Sequence, residues 1–315
     1  MMPAEQIEAR LRGIAGDRVQ RDAPLAPLTT FRVGGPADWL VEVRDEDELT
    51  GVMAAARECG APLTVLGGGS NVLIADAGIR GVVVRLKLTA IEQIDPASVR
   101  AEAGVTINGL VRWTVAHGLA GLEAWAGTPG TVGGAVYGNA HYSGRNIGDL
   151  VTRVRLVPRE GALAVCGLDA REMEWAYDAS RLQRTGEILL SAEFTVRAGN
   201  PDELRAVARR SLAFRKQTQP LALPSAGCMF QNPDPARDPL PDGMPASAGA
   251  LIDRAGLKGR CMGGARISPA HANFIVNEGG ATARDIRALM DEAHRTVRDR
   301  WGVDLREEVV CLGEW

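Results

Sequence analysis

The chain has 315 residues, of which 45% are hydrophobic and 24% charged, and its formal net charge is −3 at pH 7. This balance excludes a disordered or collagen-like chain, and it excludes a strongly basic nucleic-acid-binding protein. At roughly 100–200 residues per domain, the length predicts two or three packed units. The 37 glycines are clustered, which indicates backbone that comes close to a ligand or to other backbone.

Neither a secretory signal nor a membrane span is expected. Residues 1–13 carry charges every few positions, and no apolar run approaches the ~20 residues that a spanning helix needs. We therefore expect a cytoplasmic protein without membrane or nucleic-acid partners, and the oligomeric state is left open. The cysteines are odd in number and lack CxxC spacing, so reduced thiols and no bound metal are expected at Cys59, Cys166, Cys228, Cys261 and Cys311.

Helices and strands are predicted in alternation along the first two hundred residues. Residues 45–59 predict a helix, with acidic residues in the first turn and Gly60 at its end. The apolar run 63–66 predicts a strand that ends at a glycine loop, and 81–86 predicts another strand. Residues 106–117 predict a helix capped by Thr106, and two longer strands are predicted at 151–158 and 187–197.

A domain boundary is predicted near residue 200. Asn200 can cap a helix, Pro201 suits its first position, and Glu203 completes the start signal of a helix that runs to about Lys216. A proline-rich stretch follows, and a long helix over 282–301 lies near the end of the chain. The pattern as a whole predicts an α+β protein with a separate last unit.

Two glycine-rich loops are the first candidate site. The first, 67–71, follows a predicted strand and lacks the GxGxxG spacing of a nicotinamide Rossmann unit. Its consecutive backbone N–H groups can form a concave nest for a pyrophosphate, or the segment can be a flexible turn. The second loop, 127–135, holds five glycines in nine residues among apolar neighbours. Two such loops suit a dinucleotide whose phosphates are gripped from two sides.

A cysteine follows a glycine in the segment PSAGCMFQNP at 224–233. A lone cysteine is usually a small buried hydrophobic residue, so Cys228 alone does not establish a reactive thiol. Only four histidines occur, and they show no metal-binding spacing.

Seven motifs together give a more specific answer. The segments are TTFRVGGPADWL (29–40), LGGGSNVLIAD (66–76), GTPGTVGGAVYGNA (127–140), PSAGCMFQNP (224–233), AGALIDRAGLKG (248–259), HANFIVN (271–277) and EEVVCLG (307–313). In this order and over nearly the whole chain, they resemble the UDP-N-acetylenolpyruvoylglucosamine reductase family, in its shorter subclass.

The resemblance implies a fold and a division of the chain. It implies a vanillyl-alcohol-oxidase/PCMH-type FAD-binding fold in two lobes, plus a smaller α+β C-terminal substrate domain. We therefore expect an N-terminal segment at 1–28, an FAD-binding domain at 29–199 with lobes of about 29–88 and 89–199, and a substrate-binding domain at 200–315.

The resemblance also implies the activity and the cofactors. It implies NADPH-dependent reduction of UDP-N-acetylenolpyruvoylglucosamine to UDP-N-acetylmuramate through noncovalent FAD, a step of peptidoglycan precursor synthesis. The expected cofactor-binding residues are those of the two loops: Gly67, Gly68, Gly69, Ser70, Asn71, Gly130, Thr131, Gly133 and Gly134.

The catalytic expectations follow the family motifs residue by residue. Cys228 stands where the family has a serine that protonates the substrate, and an ordinary thiol is mostly protonated at neutral pH. Glu308 stands at the position of the family's C-terminal glutamate. The family's Tyr-Arg-x-Ser here has Asp178 in place of the arginine. Losing such a donor costs about 2.7–4 kcal/mol of barrier, so Arg181 or Arg145 is expected to replace it.

Four residues are expected to contact the substrate: Tyr177, Ser180, Lys216 and Asn232. Lys216 can instead complement the end of its helix. His141, in an altered loop, either contacts flavin or substrate or is an exposed loop residue, and His271 and Asn273 are expected to stabilise the last domain. Two other functions stay open: another FAD-dependent sugar or hydroxy-acid oxidoreductase of the same fold, and a catalytically silent flavin- or nucleotide-binding sensor.

Overall fold

A computed structural model describes residues 3–142 and 144–315 of the chain. Its α-helices, in chain order, are α1 (Ala4–Ala15), α2 (Glu46–Glu58), α3 (Ile107–Ala116), α4 (Val132–Tyr137), α5 (Arg181–Thr185), α6 (Pro201–Thr218), α7 (Ala248–Arg254) and α8 (Ala283–Trp301).

Eighteen strands lie between and beside these helices in the described part of the chain. They are β1 (Val19–Pro24), β2 (Pro36–Val43), β3 (Leu63–Val65), β4 (Val72–Ile74), β5 (Ile79–Leu86), β6 (Ile91–Asp95), β7 (Ser98–Glu102), β8 (Leu119–Ala120), β9 (His141–Tyr142), β10 (Arg145–Asn146), β11 (Val151–Val157), β12 (Cys166–Asp169), β13 (Ile188–Thr195), β14 (Arg197–Ala198), β15 (Cys261–Met262), β16 (Ala265–Ile267), β17 (Ile275–Asn277) and β18 (Val310–Leu312).

The predicted helix starts are confirmed by their capping side chains. Asp45 accepts a hydrogen bond from the backbone N–H of Glu48 at the start of α2, and Thr106 accepts one from Gly109 at the start of α3. Such caps satisfy N–H groups that have no partner inside the helix. Asn200 does the same for α6, since its Oδ1 lies 2.8 Å from the N atom of Asp202.

Residue contacts divide the chain into two compact units, and both are discontinuous in sequence. Unit 1 comprises residues 1–23, 37–68 and 80–214, and unit 2 comprises 24–36, 69–79 and 215–315. The predicted domain limits at 28 and 199 stay a prediction.

Unit 1 contains two main sheets. A four-stranded sheet has the order β1-β2-β5-β3, and a five-stranded sheet has the order β12-β11-β13-β7-β6. The pairs of the five-stranded sheet are antiparallel, whereas β3 and β5 pair in parallel. A hydrophobic core around Val99, Leu110, Trp125 and Phe194 packs the longer sheet against α3 and α4, which fixes the loop between these helices.

Unit 2 joins the C-terminal segment to two short pieces from the first eighty residues. Strand β4 pairs in parallel with β18, with Val72 opposite Val310. Strands β15, β16 and β17 form an antiparallel sheet beside α8. Phe31 and Leu73 from the early pieces share one core with Phe230 and other residues of the C-terminal segment. The early pieces are therefore integral parts of this unit.

The described residues give two further results. No helix among them combines the length and the apolar character needed to cross a bilayer. All five cysteines carry free thiols, and no group of three or more His, Cys, Asp or Glu side chains within 3–142 and 144–315 is arranged to hold a metal ion.

Candidate functional site

The two glycine-rich loops meet in unit 1. A methyl group added at Gly68 would lie 2.6 Å from the Cα atom of Gly130, and one added at Gly67 would lie 2.9 Å from the Oγ1 atom of Thr131. Carbon atoms do not approach one another so closely without displacement. Glycine is therefore required at Gly68 by backbone of the second loop, and the two loops that the sequence singled out are in direct contact.

The second loop is fixed by backbone and by one side chain of α3. The N–H of Ile107 donates to Gly130 O over 3.1 Å, and the N–H of Val132 donates to Val105 O over 2.8 Å. The amide of Asn108 accepts from the N–H of Gly127 at 2.7 Å and donates to Thr128 O at 3.1 Å. The sequence analysis missed Asn108. Its position in the first turn of a helix that precedes a glycine loop could have indicated that its amide holds the loop.

The first loop presents backbone donors that the protein does not use. Within residues 3–142 and 144–315, none of the backbone N–H groups of 67–71 donates a hydrogen bond to another protein atom. The oxygen of Gly69, in contrast, accepts from the N–H of Thr30 at 2.9 Å. Gly69 has φ = +63°, a left-handed conformation that favours glycine. A run of unused N–H groups fits the diphosphate of a dinucleotide.

Cys228 lies in unit 2 on an extended segment that follows a left-handed glycine. Gly227 has φ = +84°, and Cys228 forms a β-bridge with Phe274. Asn273 holds this segment with both groups of its amide, since Oδ1 accepts from the N–H of Phe230 at 3.0 Å and Nδ2 donates to its oxygen at 2.7 Å. Asn273 is 2% exposed, so its predicted structural role is confirmed.

Glu308 is hydrogen-bonded to both Asn71 and Met229 in unit 2. The N–H of Glu308 donates to Met229 O over 2.8 Å, and that of Val309 approaches the same oxygen at 3.4 Å. Glu308 and Val309 thus lie opposite the single residue Met229, which is the pattern of a β-bulge. A bulge changes the direction in which a side chain points. The Nδ2 atom of Asn71 donates to Glu308 O over 3.0 Å. Backbone contacts thus bring the segments of Cys228, Glu308 and the first loop together.

The two remaining predicted residues of unit 2 have different surroundings. The side-chain oxygen of Asn232 accepts from the N–H of Ala248 at 3.1 Å, at the start of α7, so its NH₂ group is the part left to donate to a ligand. Lys216 is exposed in the last turn of α6.

The predicted arginine and serine of unit 1 make bonds within the protein. The Oγ of Ser180 donates to Tyr137 O at 2.8 Å, and Tyr177 is 45% exposed. The guanidinium of Arg181 forms two hydrogen bonds with Glu187, at 2.8 and 3.0 Å. Burial opposes ionisation of Glu187, but hydrogen bonds from Arg181 and from a threonine lower its pKa below the ordinary value. This pair stabilises the fold, and the catalytic role of Arg181 stays a prediction.

Asp178 contacts His141 directly. The Nδ1 atom of His141 lies 2.8 Å from Oδ1 of Asp178, and the two residues are 37 positions apart in sequence. Arg145, the other predicted substitute for the family arginine, is exposed on β10.

Comparisons with known proteins match both parts of this arrangement. A family model described as an FAD binding domain matches residues 37–167, and one described as the C-terminal domain of UDP-N-acetylenolpyruvoylglucosamine reductase matches 219–312. The reductase of Anaeromyxobacter dehalogenans strain 2CP-C is 42% identical over 99% of this chain and 89% of its own length. That of Geobacter metallireducens is 39% identical over 98% of this chain and 99% of its own length. The chain belongs to the UDP-N-acetylenolpyruvoylglucosamine reductase family.

Solved structures agree with this assignment. The reductase of Thermus caldophilus has a TM-score of 0.76 at 33% identity, covering 94% of this chain and 99% of its own. A VAO-type flavoprotein from Myceliophthora thermophila C1 has a TM-score of 0.50 at 14% identity, covering 62% of this chain and 48% of its own, which shows the fold alone. The predicted α+β class and the vanillyl-alcohol-oxidase-type FAD-binding fold of the reductase are confirmed.

The matched ranges also locate the site residues within the reductase. The FAD binding domain match includes both glycine loops and His141, and the C-terminal domain match includes Cys228 and Glu308. FAD as the cofactor of this reductase is therefore confirmed, whereas the roles of individual residues stay predictions.

Proposed function

We propose that this chain reduces UDP-N-acetylenolpyruvoylglucosamine to UDP-N-acetylmuramate, with FAD as bound cofactor and NADPH as reductant, in the synthesis of peptidoglycan precursors. One observation carries the proposal: backbone hydrogen bonds gather Asn71, Glu308 and the segment of Cys228 in one place in unit 2. The end of the glycine loop, Glu308 and the neighbour of Cys228 are thus on segments joined by hydrogen bonds, and a thiol and a carboxylate are groups that can supply a proton and stabilise charge in the reduction of an enol ether.

The two glycine loops are proposed to hold the cofactor. The N–H groups of 67–71 and the glycines of 130–134 would bind its pyrophosphate, and the contact of Gly68 with Gly130 fixes the two loops against each other. Bound FAD would supply the chemistry of hydride transfer between NADPH and the β-carbon of the enolpyruvyl group. The contribution of the protein is to bind, to orient and to supply a proton.

Cys228 is proposed to supply that proton. When a hydride reaches the β-carbon, the electron pair of the double bond moves to the α-carbon, which must then take up a proton. The thiol gives its proton to the α-carbon, and solvent reprotonates the thiolate. Positioned proton donors contribute typically 10²–10⁴-fold in rate. Glu308 is proposed to stabilise or relay charge, and the hydrogen bond from its N–H to Met229 O joins its segment to that of Cys228.

Substrate binding is proposed for Tyr177, Ser180, Lys216 and Asn232. The support is unequal. The exposed ammonium of Lys216 suits a diphosphate. The NH₂ group of Asn232 donates no hydrogen bond within residues 3–142 and 144–315, and it suits a sugar or carboxylate oxygen. Ser180 already donates to the backbone of Tyr137, so it has only acceptor capacity to offer. We further propose that the enzyme works in the cytoplasm, where the nucleotide substrate and NADPH are present.

An anaerobic two-stage experiment tests the function. The purified protein should carry FAD, its absorbance should bleach on addition of NADPH, and it should recover on addition of UDP-N-acetylenolpyruvoylglucosamine with formation of one UDP-N-acetylmuramate per flavin. Reduction of the flavin by a free sugar or a hydroxy acid, without NADPH, would instead identify an oxidoreductase of different specificity. A flavin that neither substrate class reduces would identify a protein without this catalysis.

A further inference from the structure

A pocket on unit 1 has no role in the reductase chemistry proposed above. Its volume is about 520 Å³, within the range of sites for small ligands. Residues 123–124, which precede the second glycine loop, form one wall. Tyr142 on β9 and Arg145 on β10 form another wall, and one face of α6 forms the third. All of these residues belong to unit 1, as the second glycine loop does.

The walls of the pocket are joined by packing and by hydrogen bonds. The lining residues of α6 follow the i, i+3, i+4, i+7 pattern of one side of a helix: Val207, Arg210, Ser211 and Phe214. The Oγ atom of Ser211 donates to Ala124 O over 2.6 Å, and the hydroxyl of Tyr142 donates to Ser211 O over 3.4 Å. Leu204, one turn earlier on the helix, is buried in the core of unit 1. The fold of unit 1 thus fixes all three walls.

Two guanidinium groups line the pocket, those of Arg145 and Arg210. Within residues 3–142 and 144–315, neither of them forms an ion pair or a hydrogen bond with another protein group. The carboxylate of Glu123, also in the lining, accepts from the N–H of Gly121 at 2.6 Å and is not paired with either arginine. The described lining therefore carries two positive charges against one negative charge, and both positive charges can bind an anion.

The side chains of the pocket favour a phosphorylated ligand with a planar ring. Guanidinium groups bind phosphate oxygens through charge-assisted hydrogen bonds, and their planar fork matches the geometry of phosphate. Phe214 is 57% exposed, and an exposed aromatic ring offers a surface on which a nucleobase stacks. The pocket therefore suits the phosphate and the base of a nucleotide better than it suits an uncharged sugar.

Three ligands of the proposed reaction carry phosphate, and two of them have proposed binding residues elsewhere. The pyrophosphate of FAD is proposed to lie against the glycine loops, and the diphosphate of the substrate suits Lys216 of unit 2. NADPH has no such residues, because the sequence lacks the GxGxxG fingerprint of a Rossmann unit. Its adenosine end carries a 2′-phosphate, which arginine accommodates in dinucleotide-binding folds.

We propose that this pocket binds the adenosine end of NADPH, with Arg145 and Arg210 holding the 2′-phosphate. This inference rests on the proposed function, since it requires NADPH as the reductant. Hydride leaves from the nicotinamide end, so the two arginines set the affinity for NADPH and not the rate of hydride transfer. They also set the selection of NADPH over NADH, which lacks the 2′-phosphate.

Anaerobic reduction of the flavin by NADPH and by NADH tests this selection in Arg210→Ala. The NADPH concentration that gives half the limiting rate should rise roughly tenfold, because a charge-assisted hydrogen bond to phosphate is lost. The limiting rate, the values with NADH and the reoxidation by UDP-N-acetylenolpyruvoylglucosamine should stay at those of wild type. Arg209→Ala is the matched control, because Arg209 is exposed on the same helix and lies outside the lining, and it should change none of these values.

Arg145→Ala separates two roles of one residue, since Arg145 was also expected from the sequence to replace the family arginine. Its half-saturating NADPH concentration should rise as in Arg210→Ala, with no change for NADH. Slower reoxidation by the substrate, with NADPH affinity unchanged, would instead place Arg145 in the reduction of the enol ether and overturn the proposal.

Calorimetric titration of the oxidised holoenzyme measures the pocket without turnover. Adenosine 2′,5′-bisphosphate should bind more tightly than adenosine 5′-monophosphate, which lacks the 2′-phosphate. Arg145→Ala and Arg210→Ala should weaken the binding of the bisphosphate and leave that of the monophosphate unchanged, whereas Arg209→Ala should alter neither. Equal binding of the two probes by the wild-type enzyme would overturn the proposal.

The kinetic results distinguish failure of the pocket from failure of the function. Wild-type NADPH affinity in both pocket variants would overturn the proposal, as would equal losses of affinity for NADPH and NADH. If the wild-type enzyme passes the two-stage experiment while both variants keep full NADPH affinity, the function stands and only the pocket is refuted. A wild-type flavin that NADPH does not reduce would refute the proposed function itself.

Discussion

Replacing Gly68 by alanine tests the contact between the two glycine loops. The added methyl carbon would lie 2.6 Å from Gly130 Cα, 3.2 Å from its carbonyl carbon and 3.4 Å from the N atom of Thr131. Ordinary contact begins near 3.4 Å, so the loops must separate by about 0.8 Å. The atoms met are backbone, which cannot rotate away as a side chain can. Because φ of Gly68 lies outside the left-handed range, the effect is steric alone.

The magnitude follows from this displacement. Overpacking of a well-packed site costs typically 1–3 kcal/mol. If most of that cost falls on the FAD-bound form, the FAD affinity falls roughly 10–100-fold, at about 1.4 kcal/mol per tenfold. The assay is fluorescence titration of the deflavinated protein with FAD, together with the flavin content of the purified variant.

Gly13→Ala is the matched control. Gly13 lies in α1, and a methyl group there would meet no atom within 4 Å. This change should stabilise the fold by about 0.5–1 kcal/mol, because alanine is favoured over glycine inside a helix, and it should leave FAD affinity unchanged. FAD binding by Gly68→Ala as tight as in wild type, with an unchanged melting temperature, would refute the inferred contact between the loops.

Three further predictions concern stability and are checked by urea unfolding. Glu187→Gln should lower the free energy of unfolding at pH 7 by about 1–3 kcal/mol, since it breaks the pair with Arg181. Because the pKa of Glu187 is lowered in the folded protein, the stability difference between wild type and Glu187→Gln should be full at pH values above the ordinary glutamate pKa. It should vanish as the pH falls through the lowered pKa of the folded state. A stability difference that does not change with pH would contradict this. Asn139→Ala should cost about 2–4 kcal/mol, because it removes two hydrogen bonds of a buried side chain and places alanine at φ = +41°. Asn139→Gly should cost less, since glycine tolerates this φ, and equal costs would contradict the contribution of the backbone conformation. Asp76→Ala should cost about 1–2 kcal/mol, because its carboxylate accepts from the N–H groups of Ala283 and Arg284 at 2.8 and 3.0 Å; faster hydrogen exchange at the start of α8 checks this.

Local features of the fold were predictable from the sequence. Helix starts depend on side chains within three residues, so Asp45, Thr106 and Asn200 identify their helices without further context. The glycine loops were also visible, because a left-handed residue such as Gly69 favours glycine whatever surrounds it. The resemblance of seven short motifs gave the family and the fold.

Long-range pairings were not predictable in the same way. The bond from Asn71 to Glu308 joins residues 237 positions apart, and the parallel pairing of β4 with β18 places an early segment in unit 2. No local periodicity encodes such a partner. For the same reason the sequence marked His141 and Asp178 as two separate departures from the family pattern, and only the structure shows them as one pair.

The proton donor is tested most directly by stopped-flow measurement of both half-reactions in Cys228→Ala, beside Cys261→Ala, which removes an exposed thiol elsewhere. Flavin reduction by NADPH should proceed at the wild-type rate in both variants. Reoxidation by UDP-N-acetylenolpyruvoylglucosamine should slow by roughly 10²-fold or more in Cys228→Ala alone. Reoxidation of Cys228→Ala at the wild-type rate would contradict the assignment of the thiol as the donor.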